Sequence, residues 1–241
     1  MAEAGDRRGA DAPGAGMQAA IFDIDGTLID SVDLHARAWQ QAFEHFGHSF
    51  SFEKIRSQIG KGGDQLMPVF LTKDEIEARG PEIEKYRGQL FKRDYLPQVR
   101  PFPQVRDLFQ RLRADGWRLA LASSAKKEEL AAYKKIARID DLLDEETSSD
   151  DAEKSKPHPD IFEAALDRLG NPPAREAVVI GDSPYDAEAA GQAGLRSVGV
   201  LCGGFPADQL RAAGYEVLYR DPADLLANYD RSLFHRKRPG F

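Results

Sequence analysis

Two aspartates, Asp23 and Asp25, stand two residues apart in Asp-Ile-Asp-Gly-Thr, at the end of the apolar run Gln18–Asp23. Three more segments place polar side chains in the same way. Ser123 and Ser124 close the run Leu-Ala-Leu-Ala, Lys156 sits in Lys-Pro-His-Pro ahead of a helical pattern, and Asp182 and Asp186 follow Ala-Val-Val-Ile in Gly-Asp-Ser-Pro-Tyr-Asp. Carboxylates can attack, carry protons or ligate a hard cation, while lysine and hydroxyl groups grip an anion. Alone, an Asp-x-Asp pair reads equally well as a solvated strand terminus. Four such placements, each just past a strand or just before a helix, point instead to one site gathered along one edge of a sheet.

The elements that would do the gathering are legible as runs and periods. Short apolar runs at Gln18–Asp23, Trp117–Ala122, Ala177–Ile180, Arg196–Val200 and Tyr215–Leu218 predict buried strands. Between them, Val105, Leu108, Phe109 and Leu112 follow the spacing of an amphipathic helix, as do Ile161, Phe162, Ala165, Leu166 and Leu169. Strands alternating with helices predict an α/β fold, a Rossmann-like parallel sheet with helices on both faces. Ligands bind such sheets at the carboxyl ends of the strands, where Asp23, Asp25, Gly26 and Thr27 fall. Residues 32–97 break the alternation. Leu34, Ala38, Ala42 and Phe46 form a helical stripe, widened by Trp39 and Phe43, and no strand-like run follows before Pro101. That segment is expected to be an α-helical cap inserted into a core of residues 17–31 and 98–230, with Asp30–Val32 and Pro97–Pro103 as hinges. Residues 1–16 read as a disordered leader and 231–241 as a basic, solvated tail.

The 241 residues carry a net charge of −7, with 41% hydrophobic and 30% charged residues. This balance argues against a nucleic-acid or anionic-membrane partner, both of which need a positive surface. No apolar run approaches the roughly 18 residues of a membrane span, and no signal-peptide pattern is present. A single cysteine, Cys202, cannot form an internal disulfide, and the expected compartment is the cytoplasm.

The set DIDGTLIDS, LALASS, KPHPDIF and GDSPYDAEAA resembles the four signature motifs of the haloacid dehalogenase superfamily, over residues 17 to about 226. The helical insertion resembles the small cap of phosphoglycolate phosphatases and beta-phosphoglucomutases. The resemblance implies a Mg²⁺-dependent phosphatase acting on a small phosphorylated metabolite. Asp23 would attack phosphorus and bind the metal, with a second ligand from the Asp25 backbone carbonyl. The Asp25 side chain would protonate the leaving oxygen and then activate water. Asp182 matches a metal-ligand position, and Asp186 would reach the metal directly or through water. Ser123 would hydrogen-bond a phosphoryl oxygen, with Ser124 beside it as a further phosphate-binding residue, and Lys156 would neutralise the phosphoryl group; Lys154 competes for that role.

Weaker signals lie in the cap. His35, in DSVDLHARAW, resembles a histidine that faces the active site of beta-phosphoglucomutases, against the plainer reading of a cap-surface histidine. Lys61, in IGKGGD, is a candidate specificity residue or a solvated loop lysine. Trp39 and Phe43 read as cap core. The acidic stretch Asp140–Glu153 has no ligand spacing and reads as a loop with a short strand. Rival functions are phosphoryl transfer within a sugar phosphate, which would need a cap cation on a second phosphate, and a catalytically silent phosphate-binding protein. Carbon dehalogenation does not require the acid at Asp25, and phosphonate hydrolysis would need a cap lysine.

Overall fold

The computed structural model describes residues 18–235, so the leader and the residues after 235 lie outside the described chain. Six parallel strands form one sheet: β1 (Ala19–Phe22), β4 (Arg118–Ala122), β5 (Glu145–Thr147), β6 (Ala177–Gly181), β7 (Arg196–Val200) and β8 (Val217–Tyr219). Their order is β5-β4-β1-β6-β7-β8. All four residues of β1 are buried, as expected of a strand with neighbours on both edges and helices over both faces. Helices α5 (Val105–Ala114), α6 (Lys127–Ala137), α7 (Asp160–Arg168), α8 (Pro184–Gln192), α9 (Ala207–Ala213) and α10 (Pro222–Ala227) supply those faces. The α5 stripe Val105, Leu108, Phe109 and Leu112 is wholly buried, and Phe109 packs its ring 4.6 Å from that of Phe22. The chain moves outward from β1 through β4 to β5, then returns to the opposite side of β1 at β6. The strand order therefore reverses around β1, which opens a crevice at its carboxyl end.

The insertion is helical: α1 (Val32–His45), α2 (Phe52–Arg56), α3 (Gly63–Leu66) and α4 (Lys73–Leu90). Thr72 and Glu75 cap α4 reciprocally, and the cap has its own core around Trp39, Phe43, Ile55, Leu66 and Ile83. Within the predicted stripe of α1, Ala38 and Ala42 are buried, while Leu34 and Phe46 are half-buried. The two crossings between core and cap pair as a short antiparallel ribbon, β2 (Ile29–Asp30) with β3 (Arg100–Pro101). The segments expected to flex are thus tied to each other.

Two boundaries differ from the sequence reading, and one expected short strand is found. The last strand starts at Val217, because Tyr215 turns inward and donates its hydroxyl to the Ser183 carbonyl, 2.9 Å away. Glu145–Thr147 is the short strand expected within the acidic stretch, and it forms one edge of the sheet. The ordered core also runs into the segment read as a tail. Phe234 is fully buried, and its carbonyl accepts a hydrogen bond from Trp117 Nε1 at 3.0 Å. No helix among the described residues is long and apolar enough to cross a membrane.

Candidate active site

Asp23 follows β1, Ser123 follows β4, and Asp182 follows β6, so three adjacent parallel strands present these residues at one edge. Lys156 enters just before α7, with its side chain fully buried. Its ammonium lies 2.6 Å from Asp23 Oδ1, 2.7 Å from Asp186 Oδ1 and 3.0 Å from the Ala122 carbonyl. Lys154 is exposed, which removes it from this cluster. Thr27 Oγ1 lies 3.1 Å from both Asp23 Oδ2 and Asp182 Oδ1, so its one hydrogen serves either carboxylate.

Asp23, Asp182 and Asp186 each bring a carboxylate oxygen within 4.8 Å of the others, and all three are buried. Burial lifts the Asp23 carboxyl to about 7, helped by Asp186 and Asp25 and opposed by Lys156. Asp182 is raised as well, first by burial and then by Asp23 and Asp186. One lysine does not balance this much carboxylate, and oxygen donors crowded in this way suit a hard divalent cation. The backbone is shaped to the same group. Gly26 has φ +83°, and a Cβ there would sit 2.4 Å from Asp182 Oδ2; a Cβ on Gly203 would sit 1.7 Å from the same oxygen. Both Asp186 oxygens already have protein partners. Oδ1 faces Lys156, and Oδ2 accepts from the Ser183 amide at 3.1 Å and the Ser183 hydroxyl at 2.6 Å.

Asp25 occupies a different setting. Burial favours its neutral form, but His35, Ser31 and Lys156 outweigh burial and hold it below its ordinary range. Ser31 Oγ donates to Asp25 Oδ1 at 2.6 Å, and His35 Nε2 lies 3.0 Å from the same oxygen. His35 is therefore buried at the site and not on the cap surface. Its ring stacks on Phe91 with centroids 3.9 Å apart, and Nε2 is also 3.0 Å from the Tyr133 hydroxyl.

A cavity of about 310 Å³ opens from Asp23 and Asp25 between core and cap. Ser124 lines it, whereas Ser123 is fully buried and its Oγ accepts from the Ala125 amide at 3.0 Å. Lys61 also lines the cavity, but its ammonium is bonded to Gln58 Oε1 at 2.7 Å and lies 4.6 Å from the centroid of the Tyr185 ring. Trp39 belongs to both the cap core and the cavity wall. Cys202 Sγ packs against the Gly26 carbonyl at 3.2 Å, in keeping with a packing role. Cap and core are clasped beside the cavity. Asp64 takes hydrogen bonds from the Ser155 amide and hydroxyl, and the Gly62 amide donates to Ser155 Oγ at 3.0 Å. Farther around the rim, Arg56 Nη2 donates to the Gly203 carbonyl at 2.9 Å.

The sequence reading passed over Thr27 as a bridge, Tyr133, Asp64, Arg87 and Glu129. Thr27 lies inside the first motif and could have been found there. Arg87 and Glu129 lie on helices whose polar residues ordinarily face water, and nothing local distinguishes them.

Comparison with known proteins agrees with this geometry. The sequence profile of the haloacid dehalogenase-like hydrolases matches residues 20–200. The chain is 31% identical to a phosphoglycolate phosphatase of Nitrosospira multiformis, covering 74% of this chain and 80% of that protein. It is 28% identical to a phosphorylated carbohydrates phosphatase of Thermotoga maritima, covering 76% and 84% respectively. Among solved structures, a hydrolase from Pseudomonas syringae superposes with a TM-score of 0.80 at 30% identity, covering 88% of this chain and 98% of that one.

Proposed function

The chain belongs to the haloacid dehalogenase-like hydrolases, in the helical-capped group of phosphoglycolate phosphatases and beta-phosphoglucomutases, and is a phosphatase for small phosphorylated substrates; from that premise we propose that it hydrolyses a phosphate monoester with Mg²⁺ through an aspartyl-phosphate on Asp23. The observation that carries this reading is the cluster of Asp23, Asp182 and Asp186 around Lys156 at the carboxyl edge of the sheet.

Asp23, Asp182 and the Asp25 backbone carbonyl would hold Mg²⁺. Asp186 would reach it directly or through water. When bound, the ion offsets the repulsion between a carboxylate nucleophile and an anionic phosphoryl group. Asp23 forms a bond to phosphorus as the ester P–O bond breaks. Lys156 and Ser124 hold the charge on the transferring oxygens. Asp25 gives a proton to the leaving oxygen, while Ser31 Oγ and His35 Nε2 orient its carboxyl through Oδ1. The carboxylate then takes a proton from water, which attacks the phosphorus of the aspartyl-phosphate. Inorganic phosphate leaves and Asp23 is restored. The low setting of Asp25 suits this second, basic step.

Phosphoryl transfer within a sugar is the less favoured alternative, because it needs a second phosphate held at a cavity wall where carboxylates outnumber cations. Release of inorganic phosphate from p-nitrophenyl phosphate, with and without Mg²⁺, tests the proposal. Asp23→Asn is expected to lose at least about 10³-fold in kcat. Equal turnover in the variant and the wild type would sink it.

A further inference from the structure

We infer that the cleft between cap and core selects a phosphate ester whose body carries hydroxyl groups and no second anionic group, and that Arg87 and Glu129 together read one of those hydroxyls. The inference rests on the phosphatase reading and narrows it to polyol and sugar monophosphates.

Arg87 lies in the last turn of α4 on the cap, and Glu129 in the first turn of α6 on the core. Both line the cavity that leads to Asp23 and Asp25. Their charged groups face each other across the cleft, with Arg87 Nη1 3.6 Å from Glu129 Oε1. Arg87 is only 9% exposed, and its guanidinium carbon lies 5.3 Å from the centroid of the Trp39 ring, which fixes its plane. Arg87 Nε and Glu129 Oε2 have no hydrogen-bond partner among the described residues. Buried charged groups are nearly always saturated with hydrogen bonds, and a half-satisfied pair is costly. A loose pair with one donor and one acceptor left over, split between a cap and the core it closes on, is a site completed by a ligand.

The chemistry of that ligand follows from the two orphan atoms. A hydroxyl both accepts and donates, so it takes a hydrogen bond from Arg87 and gives one to Glu129. A carboxylate or second phosphate only accepts, and would meet Glu129 as a like charge. The other cations of the wall do not relieve this. Lys61 is bonded to Gln58, and Lys126 Nζ lies 3.8 Å from Glu84 Oε1. Asp150 and Glu153 add further negative charge to the wall. Among the described residues lining the cavity, carboxylates outnumber cations, so a second anion would meet a net negative wall.

The test compares kcat/KM for glucose 6-phosphate and glycerol 3-phosphate with that for phosphoglycolate, inorganic pyrophosphate and phosphoethanolamine, each with Mg²⁺. Wild type is expected to favour the hydroxylated esters over phosphoglycolate by about tenfold or more, and Glu129→Gln to shrink that ratio by about tenfold. Reading a ratio within each protein cancels any general loss of activity. Isothermal titration of the same ligands into Asp23→Asn reads selectivity without turnover. A wild type that hydrolyses nothing, while Asp23→Asn still binds the sugar phosphate selectively, would sink the phosphatase reading and keep this one. Preference for phosphoglycolate, pyrophosphate or phosphoethanolamine would overturn the inference. So would an unchanged ratio in Glu129→Gln, or the absence of any selective binding.

Discussion

Core and cap deal with charge in opposite ways. At the sheet edge, Asp23, Asp182, Asp186 and Lys156 are packed within a few ångströms, nearly water-free, on strand ends whose neighbours fix them. Across the cleft, the cap touches the core through the loose ion pair of Arg87 on α4 and, from α3, the clasp of Asp64 with Ser155. Strand ends hold charges where they repel, which stores the driving force for taking up a cation. Helix faces hold charges that wait for a partner. Reaction is thereby assigned to the core, and selection to the seam where the cap meets it.

The contrast breaks first if Lys156 is not the counter-charge of the core. Lys156→Met leaves buried carboxylates unpaired and is expected to cost about 3–5 kcal/mol of stability, read by urea unfolding in a metal chelator. Added Mg²⁺ should restore much of that loss. Next, Gly203→Ala pushes a methyl group into Asp182, and Mg²⁺ affinity should fall about 10–100-fold by calorimetry while the cap clasp is unaffected. Unchanged affinity would mean that Asp182 does not hold the metal.

The pH dependence sharpens the same half. Without metal, the Asp23 carboxyl sits near 7 instead of its ordinary 3.8, so the folded chain binds a proton that the unfolded chain has released. That proton stabilises the metal-free fold at low pH, and the stabilisation is lost as pH rises from about 4 to 7. Mg²⁺ must displace it, so affinity should climb by up to about tenfold per pH unit as pH rises towards 7. A flat profile from pH 5.5 to 8 would contradict the crowding of the carboxylates. The smallest effect belongs to the cap. Ser155→Ala removes the hydroxyl from the Asp64 clasp and should lower kcat/KM about tenfold, since one hydrogen bond to a charged group contributes about 1.5 kcal/mol. Stability of the core and Mg²⁺ affinity should not move; if they do, the clasp is part of the core and the division fails.

The same division explains what the sequence made legible. Asp23, Asp182 and Lys156 sit beside apolar runs, glycines and prolines that mark strand ends and turns, so their neighbourhood follows from local pattern. The placement of His35 against Asp25 required the cap to fold back over β1, which spacing alone leaves open. Arg87 and Glu129 are 42 residues apart on two separate helices, and only the docking of cap on core makes them neighbours. Glu145–Thr147 is legible as a short strand in an acidic stretch, but its place beside β4 comes from long-range pairing that local pattern does not show. Phe234 lies next to a basic run that suggested solvent, yet the groove beside Trp117 takes it.

The ribbon of β2 and β3 has one more consequence. Because the outgoing and returning backbones run side by side as Ile29 with Pro101 and Asp30 with Arg100, everything between them forms a cassette with adjacent ends. Grafting a foreign helical bundle between Asp30 and Arg100 would leave the spacing of the parallel strands untouched, so new recognition could be spliced onto an old reaction without refolding it.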